Sequence, residues 1–113
     1  MVGRVRRFDV VLVDLDPTRG SEIQKMRPCL VVSPDEMNAH LRTLIVAPMT
    51  TTERRYKSRV AVTFQRKRGQ IALDQIHTID KQRVVRRLGT VSAKSAEAVA
   101  RTLVEMFAAA DSK

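Results

Sequence analysis

The sequence holds little from which a disulfide framework, a metal cage or a membrane span could be built. Cys29 is its one cysteine, so no intramolecular disulfide can form. Cys29 lies in an apolar run and is expected in the core rather than as a nucleophile. His40 and His77 are the only histidines, and neither has a second histidine or a cysteine at ligand spacing. No metal site and no cofactor are therefore expected. There is no tryptophan and a single tyrosine, Tyr56. The longest apolar run is far short of the roughly 20 residues of a membrane helix. No apolar segment long enough for a signal peptide follows the N-terminal arginines. A chain that works in the cytoplasm, away from membranes, is the expectation. A glycine-rich phosphate loop, a serine nucleophile elbow and a Walker sequence are also missing.

Acidic side chains are scarce relative to basic ones. Twelve Asp and Glu stand against 21 Lys and Arg, a net charge of +9. In a small domain that excess points to a polyanion or an acidic protein partner. Hydrophobic residues make up 43% of the 113 positions, enough for a packed core. No repeat or linker divides the chain, so residues 1–113 are expected to form a single domain.

The apolar pattern changes period once. Residues 8–15 and 29–33 read as strands, the second bracketed by Pro28 and Pro34. Residues 35–42 form a connection with room for a short helical turn. A third strand spans 43–47 and is expected to stop at Pro48. Residues 59–64 alternate, with Val60, Val62 and Phe64 on one face. A tight turn at 66–68 and Gly69 leads to a fifth strand at 70–75, and residues 84–88 can add a sixth. Ala96, Val99, Ala100, Leu103, Met106, Phe107 and Ala110 then follow helical spacing, with Ser92 as N-cap. Strands first and one helix last predict an antiparallel α+β domain built on a small barrel.

The candidate chemistry lies at the strand ends. Arg27 opens the second strand, Thr50 follows the third, Asp74 and Gln75 close the fifth, and Glu22 lies in the long first loop. RNA carries its own nucleophile, the 2′-hydroxyl, beside each phosphodiester. A protein that cleaves it has to hold the geometry and stabilise charge growing on the phosphate. Arginine offers phosphate a planar cationic fork, and a threonine hydroxyl can donate to the same oxygens. Arginine is a poor base, which leaves Asp74 and Glu22 as candidates for accepting the 2′-hydroxyl proton. The segment from Thr52 to Arg59 places Tyr56 among Arg54, Arg55, Lys57 and Arg59. Stacking on an aromatic ring with phosphate contacts beside it is the usual grip on unpaired RNA. His77 is a candidate ligand contact, and His40 a loop residue.

These segments resemble the MazF/PemK (Kid) toxins of type II toxin–antitoxin systems. The resemblance is carried by Asp9-Val10-Val11-Leu12-Val13-Asp14-Leu15-Asp16-Pro17-Thr18-Arg19-Gly20-Ser21-Glu22 and by Arg27-Pro28-Cys29-Leu30-Val31-Val32-Ser33-Pro34. Val46-Ala47-Pro48-Met49-Thr50 and Leu73-Asp74-Gln75-Ile76-His77-Thr78-Ile79-Asp80-Lys81 follow in the family's order. The resemblance implies a small SH3-like barrel with a C-terminal helix, assembled as a homodimer. It implies a metal-independent, sequence-specific endoribonuclease, or mRNA interferase, that leaves 2′,3′-cyclic phosphate and 5′-hydroxyl ends on single-stranded RNA. It also implies a cognate acidic antitoxin of MazE/PemI type. Arg27 and Thr50 match the family's catalytic pair; Glu22 and Asp74 match its acidic site residues. Ser21 and Ala72 stand where Kid-like members have a histidine and an arginine, and His77 stands where an arginine is common. A CcdB-like toxin that binds and poisons DNA gyrase shares the same architecture. The pairing of Arg27 with Thr50 favours cleavage over that alternative.

Overall fold

The computed structural model describes residues 4–15 and 26–110. Seven strands and two α-helices follow in the order β1 (Asp9–Asp14), β2 (Met26–Val31), α1 (Asp35–His40), β3 (Thr43–Thr50), β4 (Arg59–Phe64), β5 (Lys67–Ala72), β6 (His77–Asp80), β7 (Val84–Thr90) and α2 (Ala93–Phe107). All pairings are antiparallel, and the strand order is β4-β5-β3-β2-β1-β7, with β6 also on β3. The chain folds as a curled antiparallel half-barrel with a C-terminal helix, the α+β class expected from the pattern.

Two apolar clusters back the sheet, one per face. Val10, Leu30, Ala47, Val62, Ile71 and Leu73 form the larger. The intervening residues Val11, Val13, Cys29, Val31, Leu44 and Val46 form the smaller. Strict alternation along a strand sends neighbours to opposite faces, so β1 and β2 are buried on both sides and read as continuous apolar runs. Helix α2 covers the larger cluster: Val99 is fully buried there, with Ala96, Leu103 and Met106 packed beside it. Burying one such valine contributes about 1.5–3 kcal/mol. Ser92 caps the helix, its side chain accepting the Ser95 N–H at 3.1 Å. The apolar stripe is narrower than the spacing suggests. Phe107 is 70% exposed on the last turn, and Ala110 lies beyond the helix.

Four strand assignments differ from the sequence expectation. β2 begins three residues earlier, at Met26. β3 runs through Pro48 to Thr50 instead of stopping. Ile45 turns both its backbone groups toward the β2 side: its N–H donates to the Ser33 hydroxyl, and its carbonyl accepts from Val32. Alternation therefore turns the N of Pro48, which has no hydrogen, to the other side. There the neighbouring chain has broken into a single 3-10 turn at Leu73–Gln75. The missing donor falls where no ladder partner exists, so the proline is accommodated. That turn also ends β5 at Ala72, so Asp74 and Gln75 belong to the turn and not to a strand. His77 opens β6, a strand the sequence pattern did not suggest. The β4–β5 turn is at Gln65 and Arg66, both with positive φ (51° and 68°), ahead of the basic run expected to make it.

Candidate active site

The sheet register assembles the site. β2 and β3 pair Cys29 with Pro48, Leu30 with Ala47 and Val31 with Val46. The same register carried two residues on sets Arg27 opposite Thr50. Thr50 pairs on its other side with Gln70 of β5. Opposed residues share a face, so Arg27, Thr50 and Gln70 form one row across three strands. Arg59 pairs with Ala72, two residues from Gln70, and so joins the same face. His77 pairs with Val46, four residues back from Thr50, and is also on that face. Along β3 this is roughly 14 Å, so His77 marks the far end of the site.

Arg27, Thr50, Arg59 and His77 line an open groove of about 540 Å³, which Arg54, Tyr56, Asp74 and Gln75 also border. A second depression of about 880 Å³ continues past Arg27, Thr50 and Thr52 toward the basic β4–β5 hairpin at Arg66, Lys67 and Arg68. Among the described residues, the Arg27 guanidinium has no hydrogen-bond or ion-pair partner and is half-buried. The Thr50 hydroxyl accepts the Thr52 N–H at 3.1 Å, which leaves its own proton to donate into the groove.

The acidic side of the groove is tied up. Asp74 accepts Arg59 Nε at 2.8 Å and Nη2 at 3.3 Å, and the Ser58 hydroxyl at 2.9 Å. The Arg59 hydrogen bonds, helped by Ser58, hold the Asp74 carboxyl below the usual aspartate value and raise Arg59 in turn. Arg59 also donates Nη1 to Gln70 Oε1 at 3.3 Å and lies 5.2 Å from the centre of the Tyr56 ring. His77 Nδ1 is 3.0 Å from the Gln75 carbonyl. A carbonyl only accepts, so Nδ1 is the donor at this contact. Burial pushes the Cys29 thiol up to about 12, which marks it as core.

The groove therefore brings together Arg27, Thr50, Asp74, Gln75, Arg54, Tyr56 and His77. Arg55 is exposed on the same loop. Glu22 lies outside the described residues. Arg59 lines the groove although the sequence reading counted it only among the cations around Tyr56, and Gln70, on the wall of the second depression, bonds to Arg59 and to the Arg54 backbone. The signal for both was the strand register, which pairs Thr50 with Gln70, 20 positions on, and Arg59 with Ala72, 13 positions on. Among the described residues, no three His, Cys, Asp or Glu side chains converge in a way that could hold a metal ion. None of the described helices is long and apolar enough to cross a membrane.

An antiparallel half-barrel with an arginine–threonine pair at its rim defines a class, and comparison with known proteins gives the family. Residues 6–107 match the model of the PemK-like, MazF-like toxins of type II toxin–antitoxin systems. The chain belongs to this family. It is 35% identical over 94 residues to the endoribonuclease MazF of Staphylococcus epidermidis, covering 78% of each chain. A mycobacterial endoribonuclease solved with its cognate antitoxin superposes with a TM-score of 0.80 at 23% identity, covering 96% of this chain and 99% of that one. The Mycobacterium tuberculosis toxin MazF-mt6 superposes at 0.72 with 25% identity, over 88% and 95%.

Proposed function

We propose that this protein is the endoribonuclease toxin of a toxin–antitoxin pair and cleaves single-stranded RNA in the groove beside Thr50. The observation that carries this reading is the Arg27 guanidinium, without a hydrogen-bond or ion-pair partner among the described residues and lining the same groove as Thr50. Arg27 binds the scissile phosphate and offsets the charge that grows on it as the 2′-oxygen attacks phosphorus. Thr50 donates its hydroxyl to a phosphate oxygen. The 2′-hydroxyl gives its proton to water as the O2′–P bond forms, and the P–O5′ bond breaks as O5′ takes a proton from water, leaving a 2′,3′-cyclic phosphate and a 5′-hydroxyl. No step calls for a metal. Asp74, whose oxygens are already occupied, is a poor acceptor for the 2′-hydroxyl proton. Gln75, Arg54, Arg55 and His77 extend the grip along the strand, and Glu22 is the acidic member contributed by the first loop.

The +9 charge suits both RNA and an acidic antitoxin segment covering the same groove. The staphylococcal relative is named an endoribonuclease, and the mycobacterial neighbour was solved with its antitoxin; both support this reading. The chain acts as one domain and as a homodimer in the cytoplasm. Incubating the purified protein with a long unstructured RNA in EDTA, followed by primer extension, tests the assignment. Discrete cuts with 5′-hydroxyl ends are expected. Intact RNA would overturn it.

A further inference from the structure

The β3–β4 loop is fastened at several points to the strands beneath it. Gln70 Oε1 accepts the Arg54 N–H at 3.1 Å, and Gln70 Nε2 donates to the Arg54 carbonyl at 3.2 Å. The Tyr56 carbonyl accepts the Arg59 N–H at 3.0 Å, and the Ser58 carbonyl accepts the Leu73 N–H at 3.1 Å. The Ser58 hydroxyl and Arg59 both end on Asp74. Tyr56, at the crest, is nevertheless 52% exposed. The Arg59 guanidinium lies 5.2 Å from its ring centre, within cation–π range, while the Arg59 side chain is itself only 6% exposed. An exposed ring held by a buried cation on a pinned loop is costly to build for packing alone. It suits a flat ligand that meets a fixed surface and loses little freedom in doing so. A base in an unpaired strand is such a ligand, because every base presents a π-face.

We propose that Asp74 is a positioning residue for a base-stacking platform: it holds Arg59, Arg59 supports the Tyr56 ring, and one unpaired base next to the scissile phosphate stacks on that ring. This rests on the reading of the groove as an RNA cleft. It gives Asp74 a role other than proton acceptor. It also lets the subsite at Tyr56 fix the register of the strand in the groove while accepting any base there.

The wild-type cleavage site is first mapped on a long RNA. A 2′-O-methyl oligonucleotide spanning that site, which lacks the nucleophile, is then made with 2-aminopurine scanned through it. Wild-type protein is expected to quench the fluorescence strongly at one position. Tyr56→Leu and Arg59→Met are expected to lose that quench and to raise KM about tenfold or more, with kcat within about threefold. Asp74→Asn gives the same split, with an unchanged pH–rate profile. Asp74→Glu restores part of the affinity, and Asp74→Asn combined with Arg59→Met is no worse than either alone. Tyr56 is exposed, so its replacement tests the platform without threatening the fold. A Tyr56→Leu protein with wild-type KM and quench overturns the inference. So does an Asp74→Asn protein that loses about a hundredfold in kcat at unchanged KM. Failure of the wild type to cut RNA instead defeats the parent reading, and this inference with it.

Discussion

Arg59 grips Asp74 with two parallel donors, Nε to Oδ1 at 2.8 Å and Nη2 to Oδ2 at 3.3 Å, linking β4 to the 3-10 turn between β5 and β6. Fork-on-carboxylate geometry is among the stronger polar contacts a surface can carry. It joins two segments that have to stay in register if the groove is to keep its width.

This contact makes stability pH-dependent in a definite direction. The Asp74 carboxyl is held below its ordinary value, so its contribution is complete above roughly pH 4 and is lost as pH falls through the folded-state value. The Asp74 side chain is 29% exposed, so the contribution is at most about 1 kcal/mol after screening. Urea unfolding of wild type and Asp74→Asn from pH 7 downward is expected to show a constant gap that closes below about pH 4. A gap that widens on acidification contradicts the assignment.

Arg27→Ala is expected to lower RNA cleavage by about a hundredfold to a thousandfold, the usual effect of removing a charge-stabilising donor, with the melting temperature little changed. Its guanidinium makes no hydrogen bond or ion pair with another described residue that folding would miss. Arg27→Lys keeps the charge but not the fork and is expected to recover only part of the rate. Single-turnover assays beside thermal melts decide this.

The role proposed for Thr50 rests on its hydroxyl and not on its bulk. Thr50→Ser is expected to retain most activity, and Thr50→Val, which keeps the shape, to lose it. Thr50→Val also leaves the Thr52 N–H without its acceptor, so the loop start loosens. Equal activity of the two variants would remove Thr50 from the mechanism.

Gly69 determines how closely β5 approaches the end of β3. A Cβ at this position would lie 2.7 Å from the Thr50 carbonyl oxygen, a backbone atom with nowhere to go. Gly69→Ala is expected to cost about 1–3 kcal/mol and to reduce cleavage by pushing Thr50 out of its row. Chemical denaturation and cleavage rates should therefore fall together. A loss of stability with normal kinetics would separate Gly69 from the site.

Much of this was readable from the chain. β1 and β4 matched their patterns because burial on both faces and clean alternation both leave strong local signals. α2 was legible from its stripe and its Ser92 cap, though the exposure of Phe107 was not, since no local pattern records where a covering sheet ends. The passage of β3 through Pro48 was hidden because a proline is tolerated or not according to what lies across from it. That neighbour is 25 or more positions away in sequence. Four-residue β6 mixes exposed His77 and Thr78 with buried Ile79, too short for a period to emerge. Arg27 and Thr50 stood out by type and place, and the fold sets both on one groove. Arg59 looked like one cation among several, and Gln70 like an ordinary strand residue. Only the folded chain brought Arg59 against the Tyr56 ring and Gln70 against the Arg54 backbone.

The buried thiol has a practical consequence. A cysteine pushed to about 12 is almost wholly protonated at neutral pH, and with its side chain fully enclosed it is silent toward alkylating reagents. Because Cys29 is also the one cysteine of the sequence, the native chain is already a clean background for site-directed labelling. A probe attached through a cysteine substituted for exposed Lys57, beside the Tyr56 crest, would report RNA or antitoxin arriving in the groove without any protective mutation elsewhere.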